Sequence, residues 1–368
     1  MRDLPITAKP IEIFCGTGGV GKTTLATSRA MALAKNGNRV LLITIDPAKR
    51  LKQILNLSEV DSGTIQTIPL SQLNNDNCAS PESGCDITKF DALLMSPYAT
   101  LTRVIWQQER VQMTIPGGDL IKIMFKQNGG MNEIMSVVEV QYQLDQGKYD
   151  TIILDTPPGQ HFIDFLESTQ KIENFFDKTY IDIFKFLGKR VQESSIPKDD
   201  RGVLGLLVST GIKKLLSYLE RVTGPHFVDQ FINAVHAIYQ SRDEFLKALQ
   251  FQQRLRQESE SNWFWVTAID HQKMQETLRI QKSATNFMHR DKYLCINKCL
   301  PESLISWHPS TDHGQKEILN SVLRVMRERQ TEIKSFADRH DLLTVSFPDI
   351  IEIKPEKQVS ALSECWNK

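Results

Sequence analysis

One short segment constrains the fold of this 368-residue chain more than any other: the glycine-rich run at residues 16–23. It reads Gly-Thr-Gly-Gly-Val-Gly-Lys-Thr and fits the pattern G-x-x-x-x-G-K-[ST]. An apolar stretch at residues 11–14 precedes it, and a stretch rich in alanine at residues 23–35 follows it. Because strand, glycine loop and helix in this order form a phosphate-binding loop, we predict a P-loop here.

The residue types of this loop predict a role for each position. Backbone N–H groups would turn inward around phosphate oxygens, next to the positive end of the following helix dipole. We expect Lys22 to neutralise the β- and γ-phosphates, Thr23 to bind Mg²⁺ and Thr24 to reach the α-phosphate. Lys22 is therefore also predicted to be catalytic. The predicted nucleotide-binding residues of the loop are Gly18, Gly19, Val20, Gly21, Lys22, Thr23 and Thr24.

Apolar runs alternate with helical patterns along the chain. Residues 40–45 form a nearly continuous apolar run that ends at Asp46, and residues 151–154 form another that ends at Asp155. Further strand patterns occur at residues 65–70, 263–267, 293–296 and 342–345. Strands separated by helices predict an α/β fold with a doubly wound, mostly parallel sheet.

Two long helical patterns interrupt the strands and predict a discontinuous helical subdomain. The first covers residues 91–146 and the second covers residues 166–260. The P-loop domain would then consist of three separate segments, at residues 1–90, 147–165 and 261–368.

Two aspartates end strands of the predicted sheet, at the edge where open α/β sheets bind ligands. Asp155 is predicted to hold Mg²⁺, directly or through a coordinated water. Asp46 could orient the water that attacks a phosphate. On local sequence alone, however, Asp46 followed by Pro47 favours a helix N-cap with proline at the first helical position.

The pair Asn297 and Lys298 follows a predicted strand. In GTPases an N-K-x-D run reads guanine through its aspartate, but Leu300 occupies the fourth position here. A leucine cannot accept hydrogen bonds from guanine, so the sequence favours ATP over GTP.

Charge and composition exclude several other classes of protein. The 44 basic residues equal the 44 acidic ones, so we expect no nucleic-acid partner. No apolar run approaches the roughly 20 residues that span a bilayer, so no transmembrane segment and a cytoplasmic location are expected. The cysteines lack C-x-x-C spacing, which argues against a cysteine metal site. They are Cys15, Cys78, Cys85, Cys295, Cys299 and Cys365.

Three motifs in order resemble the ArsA-like ATPases, the family of arsenite-pump ATPases and tail-anchored-protein targeting ATPases. They are the loop at residues 18–24, the Asp-Pro-Ala at residues 46–48 and the Asp-Thr-Pro-Pro-Gly-Gln-His at residues 155–161. The last resembles the family's D-T-x-P-T-G-H switch, with Gly159 one position early.

This resemblance implies an ATP-hydrolysing homodimer whose helical subdomains move between open and closed states. Asp46 would be the switch I residue that positions water, which reverses the N-cap interpretation. Asp155, Gly159 and His161 would belong to switch II, which couples the γ-phosphate to the helical subdomain. Asn297 would contact adenine, and Pro348 would lie in the adenine-side loop.

One position departs from the better-known members of the family. Thr17 stands where targeting and pump ATPases carry a signature lysine that reaches across the dimer, so the chain is more similar to bacterial ArsA-like proteins with a small hydroxyl residue there. Three kinds of work stay open: handling of a protein client or membrane partner, positioning of the MinD/ParA type, and service as the metalloid-stimulated subunit of an anion pump. The cysteine spacing argues against the third.

Overall fold

The computed structural model describes residues 6–45, 49–57, 62–73, 89–109, 129–176, 238–290, 292–301, 313–339 and 342–367, and the single positions 214, 217, 218, 221, 224, 225, 228, 232 and 304. The chain divides into two compact units. The first comprises Met1–Met95, Gln143–Leu166 and Gln252–Lys368, and the second comprises Ser96–Tyr142 and Glu167–Phe251.

Strands of the first unit form one sheet, which has eight members within the described residues. The strands are β1 (Ile11–Gly16), β2 (Val40–Thr44), β3 (Ile65–Pro69), β4 (Lys89–Leu94), β5 (Thr151–Asp155), β6 (Ser261–Ala268), β7 (Tyr293–Cys299) and β8 (Leu343–Pro348). Their order across the sheet is β3-β4-β2-β5-β1-β6-β7-β8. Only β3 and β4 pair antiparallel; the other neighbours are parallel. This sheet confirms the predicted α/β fold.

The strand order has a topological switch point between β1 and β5. These two strands are neighbours, and every residue of both is buried. After β5 the next strand along the chain, β6, lies on the far side of β1, so the order of strands reverses there. Open α/β sheets bind their ligands at such a switch point.

Strand β4 corrects the prediction that the helical pattern begins at residue 91. Asp91 pairs with Leu41 of β2, and Leu94 pairs with Thr44 of the same strand. The short segment Lys-Phe-Asp-Ala-Leu-Leu at residues 89–94 fits a strand as well as a helix by its pattern alone. Pairing with the buried strand β2, which is distant in sequence, decides between them.

Helices connect the strands and also make up most of the described part of the second unit. In chain order they are α1 (Lys22–Lys35), α2 (Lys49–Leu55), α3 (Leu70–Leu73), α4 (Pro97–Glu109), α5 (Gly129–Asp145), α6 (Gln160–Leu166), α7 (Ser168–Phe175), α8 (Arg242–Lys247), α9 (Leu249–Leu255), α10 (His271–Ser283), α11 (His313–Arg339) and α12 (Pro355–Ser363). Short 3-10 turns occur at Thr285–Phe287 and Glu364–Asn367. Of these described helices, none is both long and apolar enough to cross a bilayer.

In the second unit, polar and aromatic contacts join neighbouring helices. Thr100 of α4 donates a hydrogen bond of 2.7 Å from Oγ1 to Oε2 of Glu139 on α5. The rings of Phe176 and Phe245, beside α7 and on α8, have centroids 5.4 Å apart. The contact between Phe176 and Phe245 brings together chain segments on either side of residues 177–237.

The C-terminal residues of the described chain pack onto the helix that follows the P-loop. The ring of Trp366 lies edge-on to Phe14 and Phe264 of the sheet, at centroid distances of 5.9 and 5.5 Å. Its Nε1 donates to Oγ of Ser28 on α1 at 2.8 Å. Lys35 at the end of α1 donates from Nζ to Oγ of Ser363 at 3.0 Å. Helix α12 is therefore held alongside α1.

A polar cluster surrounds Asp91 on β4. Oδ1 accepts a hydrogen bond from Oγ1 of Thr67, and Oδ2 accepts one from the hydroxyl of Tyr149, each at 2.7 Å. Nζ of Lys148 lies 3.3 Å from Oδ2. Burial alone would raise the pKa of Asp91, but the hydrogen bonds from Tyr149, Thr67 and Lys148 outweigh it, so the pKa lies below its usual value.

The lowered pKa of Asp91 predicts an acid-sensitive contribution to stability. The carboxylate stabilises the fold fully above its unfolded pKa of about 4, and this contribution is lost as the pH falls through the lower folded pKa. We expect Asp91→Asn to reduce the free energy of unfolding at pH 7 by more than it does near pH 3, as measured by urea titration. Asp338→Asn, at an exposed position of α11, is the matched control. An equal loss of unfolding free energy in Asp91→Asn at the two pH values would contradict the lowered pKa of Asp91.

Candidate functional site

The glycine-rich loop turns from β1 into α1 through backbone conformations that favour glycine. Gly16 and Gly21 have φ of 145° and 96°. A Cβ at Gly16 would lie 2.3 Å from the carbonyl oxygen of Val266, and one at Gly21 would lie 2.2 Å from Nδ2 of Asn297. Gly21 is the N-cap of α1, so the loop ends at a helix N-terminus, where backbone N–H groups attract anions.

Lys22 is the first residue of α1, and its side chain turns back over the loop. Nζ donates hydrogen bonds of 3.2 Å to the carbonyl oxygen of Gly16 and 2.9 Å to that of Thr17. The side chain is buried but lies on the wall of a cleft. A positive charge is thus held at the helix N-terminus, which is the arrangement that binds phosphate.

A cleft of about 540 Å³ opens beside the loop in the first unit, and its volume is within the usual range for a small-molecule site. Many of the residues predicted from sequence lie on its wall. They are Gly18, Gly19, Gly21, Lys22, Thr23, Thr24, Asp155, Asn297 and Pro348. The structure therefore brings together side chains from the loop and from the ends of β5, β7 and β8.

Asp155 is the acidic residue that ends β5, and hydrogen bonds fix it in place. Its Oδ2 accepts a hydrogen bond of 3.2 Å from the hydroxyl of Thr44, which ends the neighbouring strand β2. The next residue, Thr156, donates from Oγ1 to the carbonyl oxygen of Phe14 at 2.7 Å. Asp155 and Thr23 line the same cleft. A carboxylate and a hydroxyl are oxygen ligands of the kind that Mg²⁺ accepts, so these residues fit the metal.

Asn297 has a contact that the sequence pattern did not indicate. Its Nδ2 donates to the carbonyl oxygen of Val20 in the loop at 2.9 Å. The pairing of β7 with β8 shifts register between Ile296 and Cys299, a span that includes Asn297, and Lys298 has a positive φ of 59°. The end of β7 is thus bonded directly to the phosphate loop. No local motif signals a hydrogen bond between residues so distant in sequence.

Four of the predicted residues do not contribute side chains to the described wall of the cleft. Val20 is buried and offers its carbonyl to Asn297. Gly159 has φ of 60° at the turn before α6, and the side chain of His161 on that helix is 73% exposed. Asp46 lies outside the described residues.

Thr17, which occupies the position of the signature lysine, points into the protein. It is 4% exposed and is not among the described residues that line the cleft. Its hydroxyl has no hydrogen-bond partner within the described part of the chain. The backbone carbonyl of Thr17, by contrast, accepts a hydrogen bond from Lys22.

The described wall also includes residues to which the sequence analysis assigned no role in the site. They are Arg50, Thr156, Pro158, Lys298, Asp349, Ile350, Gln358 and Leu362. Gln358 and Leu362 belong to α12 near the end of the chain, where no recognised motif occurs. Their position follows from the packing of α12 on α1.

The structure describes four of the cysteines, Cys15, Cys295, Cys299 and Cys365, and each is a reduced thiol. Burial raises the pKa of the thiols of Cys15, Cys295 and Cys299, although nearby positive charges oppose this effect. Across the described ranges, no group of three or more His, Cys, Asp or Glu side chains is placed to hold a metal ion. Cys78 and Cys85 lie outside the described residues.

Comparison with known proteins identifies a family and a relative that match most of the chain. The profile of the family described as "Anion-transporting ATPase" matches residues 10–337. The protein named "Putative arsenical pump-driving ATPase 2" of Aquifex aeolicus (strain VF5) is 24% identical over 345 residues, which is 92% of each chain.

Other relatives match a shorter part of the chain at higher identity. "ATPase ARSA2" of Chlamydomonas reinhardtii is 31% identical over 165 residues, covering 44% of this chain and 39% of that protein. "ATPase ASNA1 homolog 1" of Paramecium tetraurelia is 31% identical over 163 residues, 44% of each chain. The matched part of this chain thus spans less than half the length of these two relatives.

Proposed function

Because the chain belongs to the anion-transporting ATPase family, we propose that it binds ATP and hydrolyses it to ADP and phosphate. The observation that carries this proposal is the cleft at the switch point of the sheet. One wall of it combines the phosphate loop, the Lys22 ammonium and the Asp155 carboxylate. Positive charge for the phosphates and an oxygen ligand for their metal are two of the recurring requirements of enzymatic phosphoryl transfer.

In the proposed mechanism, the loop and α1 bind the phosphates and orient them. Backbone N–H groups of residues 18–24 and the Lys22 ammonium would stabilise the negative charge that develops on the transferring phosphoryl group. Thr23 and Asp155 would hold Mg²⁺, which offsets phosphate charge when bound. Asp46 would orient the attacking water toward the γ-phosphorus.

The base would be adenine and would lie toward the ends of β7 and β8. Asn297 and Pro348 line this part of the cleft, and the N–H of Asp349 donates to the carbonyl oxygen of Cys299 at 2.7 Å, which joins the two strand ends. Leu300 offers no carboxylate to guanine. We therefore propose that Asn297 and Pro348 contact adenine.

The cellular task that ATP hydrolysis would drive is inferred from the resemblance to the family. We propose a cytoplasmic homodimer in which the second compact unit takes open and closed positions and handles a protein client or membrane partner. Gly159 and His161, which follow Asp155 in the chain, would form the switch that transmits the state of the γ-phosphate. The His161 side chain is 73% exposed, and its Nδ1 lies 3.8 Å from Oδ2 of Asp164.

Release of phosphate from ATP tests the proposed activity. Wild-type protein should release phosphate with Mg²⁺ and stop when EDTA is added. Asp155→Asn should lower the rate about 100-fold at equal Mg²⁺ concentration, because a neutral amide binds the metal weakly and offsets less phosphate charge. Asp338→Asn on α11 is the control and should retain the wild-type rate. Equal rates for Asp155→Asn and wild type would contradict the assigned role of Asp155.

A further inference from the structure

Arg50 is a cationic residue on the cleft wall that lies outside the P-loop. It is the second residue of α2, its side chain is exposed, and it lines the cleft. Its Nη2 donates a hydrogen bond of 2.9 Å to Oε1 of Gln358. Within the described chain, no acidic side chain forms an ion pair with Arg50. A guanidinium has five N–H donors, so this contact with a neutral amide leaves donors and a full charge for a ligand.

The partner of Arg50 is itself fixed in orientation. Nε2 of Gln358 donates to the carbonyl oxygen of Glu352 at 2.5 Å, while Oε1 accepts from Arg50. The side-chain amide cannot rotate without losing one of these hydrogen bonds. Since α12 is anchored on α1 through Trp366 and Lys35, Gln358 provides a fixed support for the guanidinium.

The contacts of Gln358 indicate which end of the cleft Arg50 serves. Glu352 lies four residues after Pro348, so the Arg50–Gln358–Glu352 chain of hydrogen bonds ends in the segment that borders the proposed base site. Lys22, by contrast, is bonded to the start of the P-loop. These hydrogen bonds thus connect Arg50 with the segment that borders the proposed base site.

We propose that Arg50 is a nucleotide-binding residue, that it contacts the phosphates common to ATP and ADP, and that Gln358 positions it. This inference rests on the proposed function. The planar fork of a guanidinium matches two phosphate oxygens, and a charged hydrogen bond in a partly enclosed cleft is stronger than a neutral one. Arg50 would add a positive charge at a place that Lys22 does not reach.

The test is the dissociation constant of ATP and of ADP, measured by titration calorimetry. Arg50→Ala should weaken both nucleotides by a similar factor, roughly tenfold or more, the effect of losing a charged hydrogen bond. Arg50→Lys should recover part of the affinity, because it keeps the charge but not the fork. Arg279→Ala, at an exposed position of α10, removes a charge elsewhere in the same unit and should change neither constant.

Gln358→Ala tests the positioning role. It should weaken ADP binding in the wild-type background but have little further effect once Arg50 is alanine, because the two residues act as one unit. Unchanged affinities in Arg50→Ala with wild-type thermal stability would overturn the inference, and so would a loss confined to ATP. A wild-type protein that binds neither nucleotide would instead overturn the proposed function. Binding that is intact in wild type and in Arg50→Ala rejects only the role of Arg50.

Discussion

Replacement of Lys22 by methionine should lower the rate of ATP hydrolysis by about 100-fold or more, the usual cost of removing a positioned charge from a transition state. The ammonium is held over the loop by the carbonyl oxygens of Gly16 and Thr17, next to the N-terminus of α1. Methionine keeps the length and packing of the side chain but carries no charge. Phosphate release at saturating Mg²⁺ and ATP measures the change.

A second lysine of the same cleft provides the control for this prediction. Lys298 lines the wall at the end of β7 but does not belong to the loop. Lys298→Met should change the maximal rate by less than about tenfold, because we expect the Lys298 ammonium to lie away from the transferring phosphoryl group. If Lys22→Met hydrolysed ATP as fast as Lys298→Met, the catalytic role of Lys22 would be rejected.

The second large effect is expected from a buried ion pair between α1 and β1, the two elements that the P-loop connects. Nε and Nη2 of Arg29 on α1 donate to Oε2 and Oε1 of Glu12 on β1, each at 2.9 Å, and both residues are buried. Asn262 of β6 donates from Nδ2 to Oε1 of Glu12 at 3.1 Å. Burial would lower the pKa of Arg29, but the charge and hydrogen bond of Glu12 raise it above its ordinary value. The guanidinium is therefore charged in the folded protein.

Arg29→Met should reduce the free energy of unfolding by about 3–5 kcal/mol, because it leaves the buried Glu12 carboxylate without its cation. The double variant Arg29→Met with Glu12→Gln should recover a substantial part of this loss. The neutral amide carries no buried charge and still accepts a hydrogen bond from Asn262. Urea unfolding at pH 7 measures both. A double variant that is less stable than Arg29→Met alone would contradict this explanation.

Local patterns predicted the elements that carry the phosphate loop. β1, β2 and β5 are continuous apolar runs because parallel strands in the centre of a sheet are buried on both faces. The glycine pattern predicted where the loop lies. The end of the apolar run at residues 151–154 predicted Asp155 as a site residue, and both line the cleft. These features depend on residues that are adjacent in the sequence, so a pattern can identify them.

Features that depend on distant residues could not be predicted in the same way. β4 is a strand because it pairs with β2, and its sequence alone resembled the start of a helix. Asn297 and Val20 are 277 positions apart, and Arg50 and Gln358 are 308 positions apart. These hydrogen bonds arise only when β7 is brought beside the loop and α12 beside α2. The contribution of the C-terminal helix to the cleft was missed for this reason.

The most direct measurement is a crystal structure of the wild-type protein with Mg²⁺ and a non-hydrolysable ATP analogue. We expect the triphosphate on the backbone N–H groups of residues 18–24, with Mg²⁺ between Thr23 and Asp155 and the base beside Asn297. An analogue bound elsewhere, with no phosphate on the loop, would contradict it.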